Sequence, residues 1–288
     1  MSKRLFRFVV ASDTHFGYQN PGASPQREYL QRVSLLIDHL KAERVKGLDF
    51  FIINGDCIDL KNFDEFATRR SALETLINNH LDEVGVPYYL VPGNHDRIEN
   101  HDWFEVLGYN RSHTFELNGF GFVLLDSSDV AGSRQTCVDG DYLHSALNEH
   151  RDKKGVFFLS HIPRFKGNFL ENPDTDSPQC DDKMEMLRNA DNLILCDHGH
   201  FHAEDGIQIE DGIPIVFGGH IGTYGLNYFG YRIYEVYEDS VFTQQWDMTN
   251  GMVRSSFTFE PLFMRGRRKR TGQQAVKKRP NLIPVTRG

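Results

Sequence analysis

The chain has 288 residues, of which 39% are hydrophobic and 25% are charged, and it contains 25 Gly and 11 Pro. This composition is typical of one large globular domain, alone or with a small appendage, and it excludes collagenous, coiled-coil and wholly disordered chains. No run approaches the ~20 apolar residues that a membrane-spanning helix needs, so we expect no membrane contact.

Charge divides the chain into two unequal parts. Residues 264–288 carry nine of the 32 Lys and Arg residues and none of the 40 Asp and Glu residues. The remaining 263 residues therefore have a net charge of −17, and this acidic body is expected to repel nucleic acid and anionic membranes. We predict a folded domain over 1–263 and a separate, disordered basic tail over 264–288. The tail is solvated charge, an attachment site for nucleic acid or another polyanion, or a localisation signal.

Four cysteines, at positions 57, 137, 180 and 196, are spread along the chain without CxxC spacing. Because disulfide scaffolds and thiolate zinc sites use short, repeated cysteine spacings, we expect neither of them here. This cysteine usage favours a reducing compartment, and we expect a cytoplasmic protein.

The first ninety residues alternate apolar strands with amphipathic helices. In chain order the pattern predicts strand 6–12, helix 26–46, strand 49–54, helix 64–84 and strand 87–91. The first strand follows a basic N-terminus, but Arg7 interrupts its apolar run, so we interpret it as a strand and not as a targeting segment. Apolar strands that alternate with helices indicate a parallel sheet buried between helix layers.

The rest of the chain is richer in strands. We predict a hairpin from 115–117 and 121–126, because Asn118-Gly119 between them is a strong turn signal. The further predicted elements are a helix at 141–152, a strand at 156–160, a mobile acidic loop at 164–182, a short helix, and strands at 192–196, 206–209, 213–217, 230–237 and 240–247. This order predicts an α/β fold in which two packed sheets are flanked by helices.

Five short segments share one feature, which is that Asp, Asn or His follows the end of a predicted strand. In chain order they are Asp13-Thr14-His15, Gly55-Asp56-Cys57-Ile58-Asp59, Gly93-Asn94-His95-Asp96, Ser160-His161-Ile162-Pro163 and Gly199-His200-Phe201-His202. The carboxyl ends of parallel strands converge on one crevice, so these side chains are expected to meet. Carboxylate, amide and imidazole groups without thiolate suit ions such as Mn, Fe or Zn.

These segments, in this order, resemble the motifs of the calcineurin-like metallophosphoesterases: D-x-H, G-D-x-x-D, G-N-H-D/E, H and G-H-x-H. The resemblance covers about residues 5–250. It implies a four-layer α/β/β/α sandwich of two mixed sheets and an enzyme that hydrolyses phosphate esters with two divalent metal ions. Two such ions ~3.5–4 Å apart clamp a phosphoryl group and make a hydroxide from bridging water near neutral pH.

The resemblance also assigns a role to each motif residue. By matching position, the first ion is held by Asp13, His15, Asp56 and His202, and the second by Asp56, Asn94, His161 and His200. Asp56 therefore bridges the two ions and offsets part of their repulsion. His95 is implied to be the catalytic histidine outside the metal shell, with Asp59 orienting it, and it protonates the leaving oxygen or stabilises the transition state.

Two departures from the family's protein phosphatases bear on the substrate. Leu60 stands where those enzymes carry Arg, and Asp96 followed by Arg97 stands where they favour Glu. Both favour the branch that hydrolyses cyclic nucleotides and glycerophosphodiesters, which residues 122–128 and Gly218-Gly219 also resemble. The expected substrates are therefore phosphodiesters or small phosphomonoesters.

Two other functions stay open. Residues 12–18 and 93–97 resemble the family's DNA double-strand-break repair nuclease, so a metal-dependent nuclease is the alternative enzyme. A metal-binding scaffold for a partner protein, like the retromer subunit of the same superfamily, is the alternative without activity. The sequence does not predict the metal, the oligomeric state or the physiological substrate.

Several polar residues near the motifs have less certain roles. We interpret His198 as structural, since the last motif already supplies two ligands. His220 is either structural or at the rim of the substrate site. Arg97, Arg164 and Lys166 either contact substrate phosphate or are surface charges.

Overall fold

A computed structural model describes most of the chain. The described residues are 3–17, 25–59, 66–96, 107–128, 137–163, 181–202, 206–210, 212–222, 228–265 and 276–277. Four residues discussed above lie outside these ranges: Leu60, Arg97, Arg164 and Lys166. The predicted acidic loop at 164–182 also lies outside them, apart from its last two residues, which are helical.

The described residues form four α-helices and thirteen strands. The helices are α1 (Pro25–Val45), α2 (Phe66–Leu76), α3 (Gly140–Glu149) and α4 (Asp181–Asn189). The strands are β1 (Arg4–Ala11), β2 (Phe50–Asn54), β3 (Tyr88–Val91), β4 (His113–Leu117), β5 (Phe120–Leu125), β6 (Gly155–Ser160), β7 (Leu193–His198), β8 (Ile207–Glu210), β9 (Ile213–Phe217), β10 (Gly230–Tyr237), β11 (Val241–Asp247), β12 (Met252–Phe259) and β13 (Val276–Lys277). Among them, no helix is long and apolar enough to cross a membrane.

The strands form two mixed sheets. The first has the order β13-β12-β11-β10-β1-β2-β3, and the second has the order β4-β5-β6-β7-β9-β8. Strands β1, β2 and β3 are parallel, as are β5, β6, β7 and β9. Each sheet therefore presents a set of strand carboxyl ends along one edge, where motif residues can meet.

Three apolar layers separate four layers of secondary structure. Leu36 of α1 and Leu73 of α2 belong to the layer that packs on the first sheet. Phe8 belongs to the layer between the two sheets. Leu143 of α3 and Leu187 of α4 belong to the layer on the far side of the second sheet. This arrangement confirms the predicted α/β/β/α sandwich.

Aromatic rings fill the space between the sheets. Phe8 stacks on Phe50, with 5.0 Å between ring centroids, and on Tyr234, with 4.6 Å. Its ring also meets Phe122 and Phe157 of the second sheet at 5.4 and 5.3 Å, in edge-to-face geometry. Such pairs contribute about 0.5–1.5 kcal/mol each beyond the area they bury, so the two sheets are held in a fixed relation.

The helices and strands predicted through residue 247 are confirmed, with boundaries that shift by a few residues. The helix predicted at 64–84 is α2 followed by a π-helical turn at Ile77–Leu81 and a 3-10 turn at Asp82–Val84. Gly85 ends it with a φ of 71°, a left-handed conformation that favours glycine. Strand β12 is not predicted from the sequence, because its residues are neither apolar throughout nor regularly alternating.

Two further findings depart from the sequence-based expectations. Strand β13, within the predicted tail, pairs with β12 at the edge of the first sheet, with Val276 opposite Phe259. Cys137 is disulfide-bonded, whereas Cys57 and Cys196 are free and buried. The sequence predicts neither a disulfide scaffold nor a thiolate zinc site, and this single disulfide was not predicted, because widely spaced cysteines can meet in a fold without any short sequence spacing.

Candidate metal centre

The motif loops have an unusual backbone conformation. Asp13, His15, Asp56 and His200 have φ values of 53°, 42°, 48° and 68°, in the left-handed region that side chains other than glycine rarely adopt. The first two loops fix each other, since the N–H groups of Asp13 and His15 donate to the carbonyls of Gly55 and Asp56 at 2.9 Å. Such conformations cost about 1–3 kcal/mol each and persist where surrounding contacts hold them, often at functional sites.

Two motif glycines allow the loops to approach one another. A Cβ atom on Gly55 would lie 2.2 Å from the His161 ring, and one on Gly93 would lie 2.3 Å from the backbone nitrogen of Asp56. Gly55 also has a φ of 85°. Any larger residue at either position would therefore push the loops apart.

The first cluster of ligand groups contains Asp13, His15, Asp56 and His202. His202 Nε2 lies 3.0 Å from Asp13 Oδ1 and 3.2 Å from His15 Nε2. His15 Nε2 lies 3.7 Å from Asp56 Oδ2. Two carboxylates and two imidazoles thus converge on one point, as the sequence predicts for the first metal ion.

The second cluster contains Asp56, His161 and His200. His161 Nε2 lies 3.2 Å from Asp56 Oδ2, while His161 Nδ1 is 2.8 Å from the carbonyl oxygen of Asn54. Asn94 precedes His95, whose N–H donates to Asp56 Oδ1 at 2.8 Å. The side-chain oxygen of Asn94 is buried and has no hydrogen-bond partner among the described residues. A metal ion beside Asp56 would satisfy this oxygen.

His95 lies beside both clusters and shares a partner with His15. Asp59 places its two carboxylate oxygens 3.2 Å from His95 Nδ1 and 3.2 Å from His15 Nδ1. His95 Nε2 lies 3.8 Å from Asp56 Oδ2. The structure therefore places Asp59 beside His95, as predicted, and also beside His15, which was not predicted.

Burial and charge act against each other at these groups. Burial alone would raise the pKa of Asp13, but His202 and His161 outweigh burial and hold this pKa well below its usual range. Burial would likewise raise the pKa of Asp56, but His161 and His95 hold it well below its usual range. Burial alone would lower the pKa of His161, but Asp56 and Asp13 raise it to about 10. The site is thus anionic in character and attracts positive charge.

Asp96 has a structural role that its motif does not reveal. Its carboxylate accepts the N–H groups of Cys57 at 3.0 Å, Ile58 at 2.9 Å and Gly93 at 2.7 Å. Asp96 is fully buried, so these three hydrogen bonds replace its hydration. The carboxylate thereby joins the second motif loop to the third.

His198 and His220 lie next to the site without joining either cluster. His198 Nδ1 is 2.9 Å from the carbonyl oxygen of Ser160, and burial lowers the pKa of His198 to about 3, so the ring is neutral. His220 is buried, lies parallel to the His202 ring at 5.9 Å, and has its Nε2 3.2 Å from the carbonyl oxygen of Tyr228. Both contacts are those of packed structural histidines, in agreement with the interpretation of His198.

The residues present fit a pair of divalent ions. Six of the seven predicted ligands lie in the two clusters, and Asp56 belongs to both. The seventh, Asn94, supplies the buried oxygen without a partner. An oxygen and nitrogen set without thiolate suits Mn, Fe or Zn and does not select among them.

Comparison with known proteins yields one family and several relatives. A family model described as calcineurin-like phosphoesterase matches residues 6–224. A protein of Fibrobacter succinogenes named "Probable cyclic nucleotide phosphodiesterase" is 24% identical over 221 residues, which are 73% of this chain and 78% of the relative. A protein of Arcobacter nitrofigilis named "Probable glycerophosphodiester phosphodiesterase GpdQ" is 26% identical over 206 residues, 67% of this chain and 71% of the relative.

Solved structures share the fold at low sequence identity. A dimetal phosphatase from Danio rerio superposes with a TM-score of 0.68 and 16% identity, over 89% of this chain and 99% of that one. A purple acid phosphatase from yellow lupin superposes with a TM-score of 0.58 and 13% identity, over 90% of this chain and 54% of that one. These likenesses establish the fold alone.

Asp96→Asn is expected to loosen the centre. An amide offers one acceptor oxygen, so in either orientation its NH₂ group faces a backbone N–H that the carboxylate accepted. Leaving such a buried donor unsatisfied costs about 1–3 kcal/mol of unfolding free energy, and metal retention should fall with it. Urea unfolding and metal analysis measure both. Asp152→Asn, on a side chain that is 88% exposed, is the control, and equal stability of the two variants would contradict the role of Asp96.

Proposed function

The chain belongs to the calcineurin-like phosphoesterase family, and from this premise we propose that it hydrolyses phosphodiesters with two divalent metal ions at the described centre. Membership of the family makes it a metallophosphoesterase, which is a hydrolase of phosphoric esters. The observation that carries the proposal is the position of Asp56. Its Oδ2 lies 3.7 Å from His15 Nε2 and 3.2 Å from His161 Nε2, so one carboxylate serves both clusters.

The proposed ligand sets are those that the motifs predict. Asp13, His15, Asp56 and His202 hold the first ion, and Asp56, Asn94, His161 and His200 hold the second. When bound, the ions supply Lewis-acid stabilisation of the phosphoryl oxygens and a nucleophile from water near neutral pH. The protein's own part is to orient the imidazole ligands. Asp59 does so at Nδ1 of His15, at 3.2 Å, and the carbonyl oxygen of Asn54 does so at Nδ1 of His161, at 2.8 Å.

We assign the proton transfer to His95. Its ring is buried, and Asp59 lies 3.2 Å from His95 Nδ1, which leaves Nε2 to face the centre beside Asp56. From that position Nε2 donates a proton to the leaving oxygen of the ester as the bond to phosphorus breaks. Asp59 orients the ring and stabilises its charged form. Burial alone would raise the pKa of Asp59, but its contacts with His15 and His95 outweigh burial and hold this pKa far below its usual range.

The relatives and the motif departures support a diester substrate. The two relatives are named as phosphodiesterases. Asp96 stands at the position where the family's protein phosphatases favour Glu. A small phosphomonoester is the second substrate class within the same chemistry, since the same pair of ions clamps either ester.

The substrate proposal is tested by comparing five substrates on the metal-loaded chain. We expect bis(p-nitrophenyl) phosphate and a cyclic nucleotide to be hydrolysed with a higher kcat/KM than p-nitrophenyl phosphate. Single- and double-stranded DNA complete the panel, and a preference for DNA would support the nuclease alternative. Two bound ions with no turnover of any substrate would instead support the scaffold and overturn the proposal.

Asp56→Asn is expected to lower the number of bound metal ions more than the substitution of a residue that binds only one of the two ions. The amide removes the charge that both ions share, so metal analysis of the purified variant should find fewer than two ions per chain. Activity should fall at least ~100-fold, the upper scale of losses from a perturbed metal shell. His202→Asn, which touches the first cluster alone, is the matched control. Full occupancy in Asp56→Asn would contradict the shared role.

His95→Asn is expected to keep both ions and lose turnover, because His95 is assigned outside the ligand set. General acid catalysis contributes about 10²–10⁴-fold, and the loss should be smaller for p-nitrophenolate, a leaving group that barely needs a proton. Turnover of nitrophenyl and alkyl diesters is compared, with metal analysis of the same samples. Equal losses for both leaving groups would assign His95 to charge stabilisation instead.

The basic segment 264–288 is proposed to be separable from the catalytic domain at 1–263 and to bind nucleic acid or another polyanion. Nine positive charges without an acid support this. Only Val276 and Lys277 of its second half are described, and they pair with β12 at the edge of the first sheet.

Removal of residues 266–288 should leave diester turnover and metal content unchanged. If the segment contacts phosphates, affinity for duplex DNA should fall, and the slope of log affinity against log salt, about −0.9 per phosphate contact, should flatten. A salt titration of both chains measures this. Unchanged DNA affinity would make the segment a solvated terminus. Lost turnover would mean that the pairing of β13 with β12 supports the catalytic domain, and that the segment is not separable from it.

A cytoplasmic location is also proposed, supported by the free buried thiols of Cys57 and Cys196. The disulfide bond of Cys137 argues against it, since disulfides form mainly in oxidising compartments. Thiol alkylation during cell lysis, followed by mass analysis, decides between the two: a fully alkylated Cys137 supports the cytoplasm.

A further inference from the structure

A buried polar cluster lies directly behind His161, between the two sheets, and no step of the proposed chemistry uses it. Its members, each at most 2% exposed, are Asn54, Ser160, Asp197, Arg232 and Tyr234. They belong to β2 and β10 of the first sheet and to β6 and β7 of the second. Because this interface is otherwise aromatic and apolar, polar groups here are costly unless they are paired.

Asn54 is the point where this cluster reaches the metal centre. Its side-chain amide donates across the interface to the carbonyl oxygens of Asp197 at 3.2 Å and Ser160 at 3.4 Å, and to Asp197 Oδ1 at 3.4 Å. Its main-chain carbonyl accepts the hydrogen bond from His161 Nδ1 at 2.8 Å. One residue thus joins the two sheets with its side chain and orients His161 with its backbone.

Asp197 anchors the amide of Asn54. The second oxygen of its carboxylate accepts the hydroxyl of Tyr234, whose ring stacks on Phe8. Burial raises the pKa of Asp197 to about 7, against the opposing effects of Tyr234, Arg232 and Asn54. Burial therefore disfavours the charged form of this carboxylate, and its hydrogen bonds with Asn54 and Tyr234 compensate for part of that cost.

The hydrogen bond between Asn54 and His161 is closed to water. A Cβ atom on Gly199 would lie 2.8 Å from the Asn54 carbonyl oxygen and 2.9 Å from His161 Nδ1, so the Gly199 backbone covers the bond. With Nδ1 donating to this carbonyl, His161 Nε2 is left to face Asp56 Oδ2 at 3.2 Å. The carbonyl of Asn54 thus determines that Nε2 of His161, and not Nδ1, faces the metal centre.

We propose that Asn54 and Asp197 are positioning residues that set the affinity of the second metal ion by fixing the ring of His161. This inference rests on the proposed assignment of His161 as a ligand of that ion. Neither residue touches the ion or the substrate. They act from the sheet interface through the carbonyl of Asn54, and partners of this kind typically contribute 10–100-fold to metal affinity.

The test is a Mn²⁺ titration of the full-length, metal-stripped chain by calorimetry. Asn54→Ala and Asp197→Leu should each weaken one of the two binding events about 10–100-fold and leave the other unchanged. In the Zn²⁺-loaded chain labelled with ¹⁵N-histidine, the Nδ1–H signal of His161 should be sharp in the wild type and broadened by exchange in both variants. Asp197→Asn should restore both properties, because a turned amide keeps the contacts with Asn54 and Tyr234.

The control is Asp247→Ala, which removes another fully buried carboxylate, one that ends β11 and accepts the N–H groups of Thr249 and Asn250. It should lower the melting temperature without changing either Mn²⁺ affinity, and an equal loss of affinity there would overturn the inference. Wild-type affinities with an unchanged His161 signal in Asn54→Ala and Asp197→Leu would overturn it as well. Retention of two ions by His161→Ala would instead overturn the ligand assignment of the proposed function.

Discussion

Two carboxylates, Asp13 and Asp56, are buried side by side where the two sheets meet, and each is about 1% exposed. Like charges removed from water in this way are unstable unless positive charge lies between them. Without metal, a proton on the imidazole of His161 supplies such a charge, since Asp56 and Asp13 raise the pKa of His161 to about 10. Metal ions and protons therefore compete for the same place, and the rest of the centre is arranged around this requirement.

The scaffold resists the repulsion by making the loops rigid. Four motif residues adopt left-handed backbone conformations, and each motif loop is hydrogen-bonded to another. Asp96 collects three backbone N–H groups from two loops, and Asn54 ties the first sheet to the second behind His161. The stacked rings around Phe8 keep the two sheets in a fixed relation. The packed core between the sheets therefore holds the motif loops in their strained conformations.

The fold and the place where the candidate ligands meet could be predicted from the sequence because both depend on local patterns. Apolar strands followed by Asp or His predict where Asp13, Asp56 and His161 meet, since strand ends converge by topology. Asn54 and Asp197 carry no such signal, because their roles arise from contacts between strands that are more than a hundred residues apart. Strand β12 and the disulfide at Cys137 escape prediction for the same reason: an edge strand with exposed residues lacks a clear period, and a disulfide needs proximity in space alone.

The proposed metal ligands come from both sheets. Asp13 and Asp56 follow strands of the first sheet, while His161 and His200 follow strands of the second. Under the proposed assignment, a pair of ions held by all of them would join residues almost two hundred positions apart in the chain, and their binding free energy would add to the free energy of folding. The same ligand atoms would then serve both catalysis and the stability of the two-sheet sandwich, and depletion of metal in the cell would shorten the lifetime of the folded protein as well as lower its turnover.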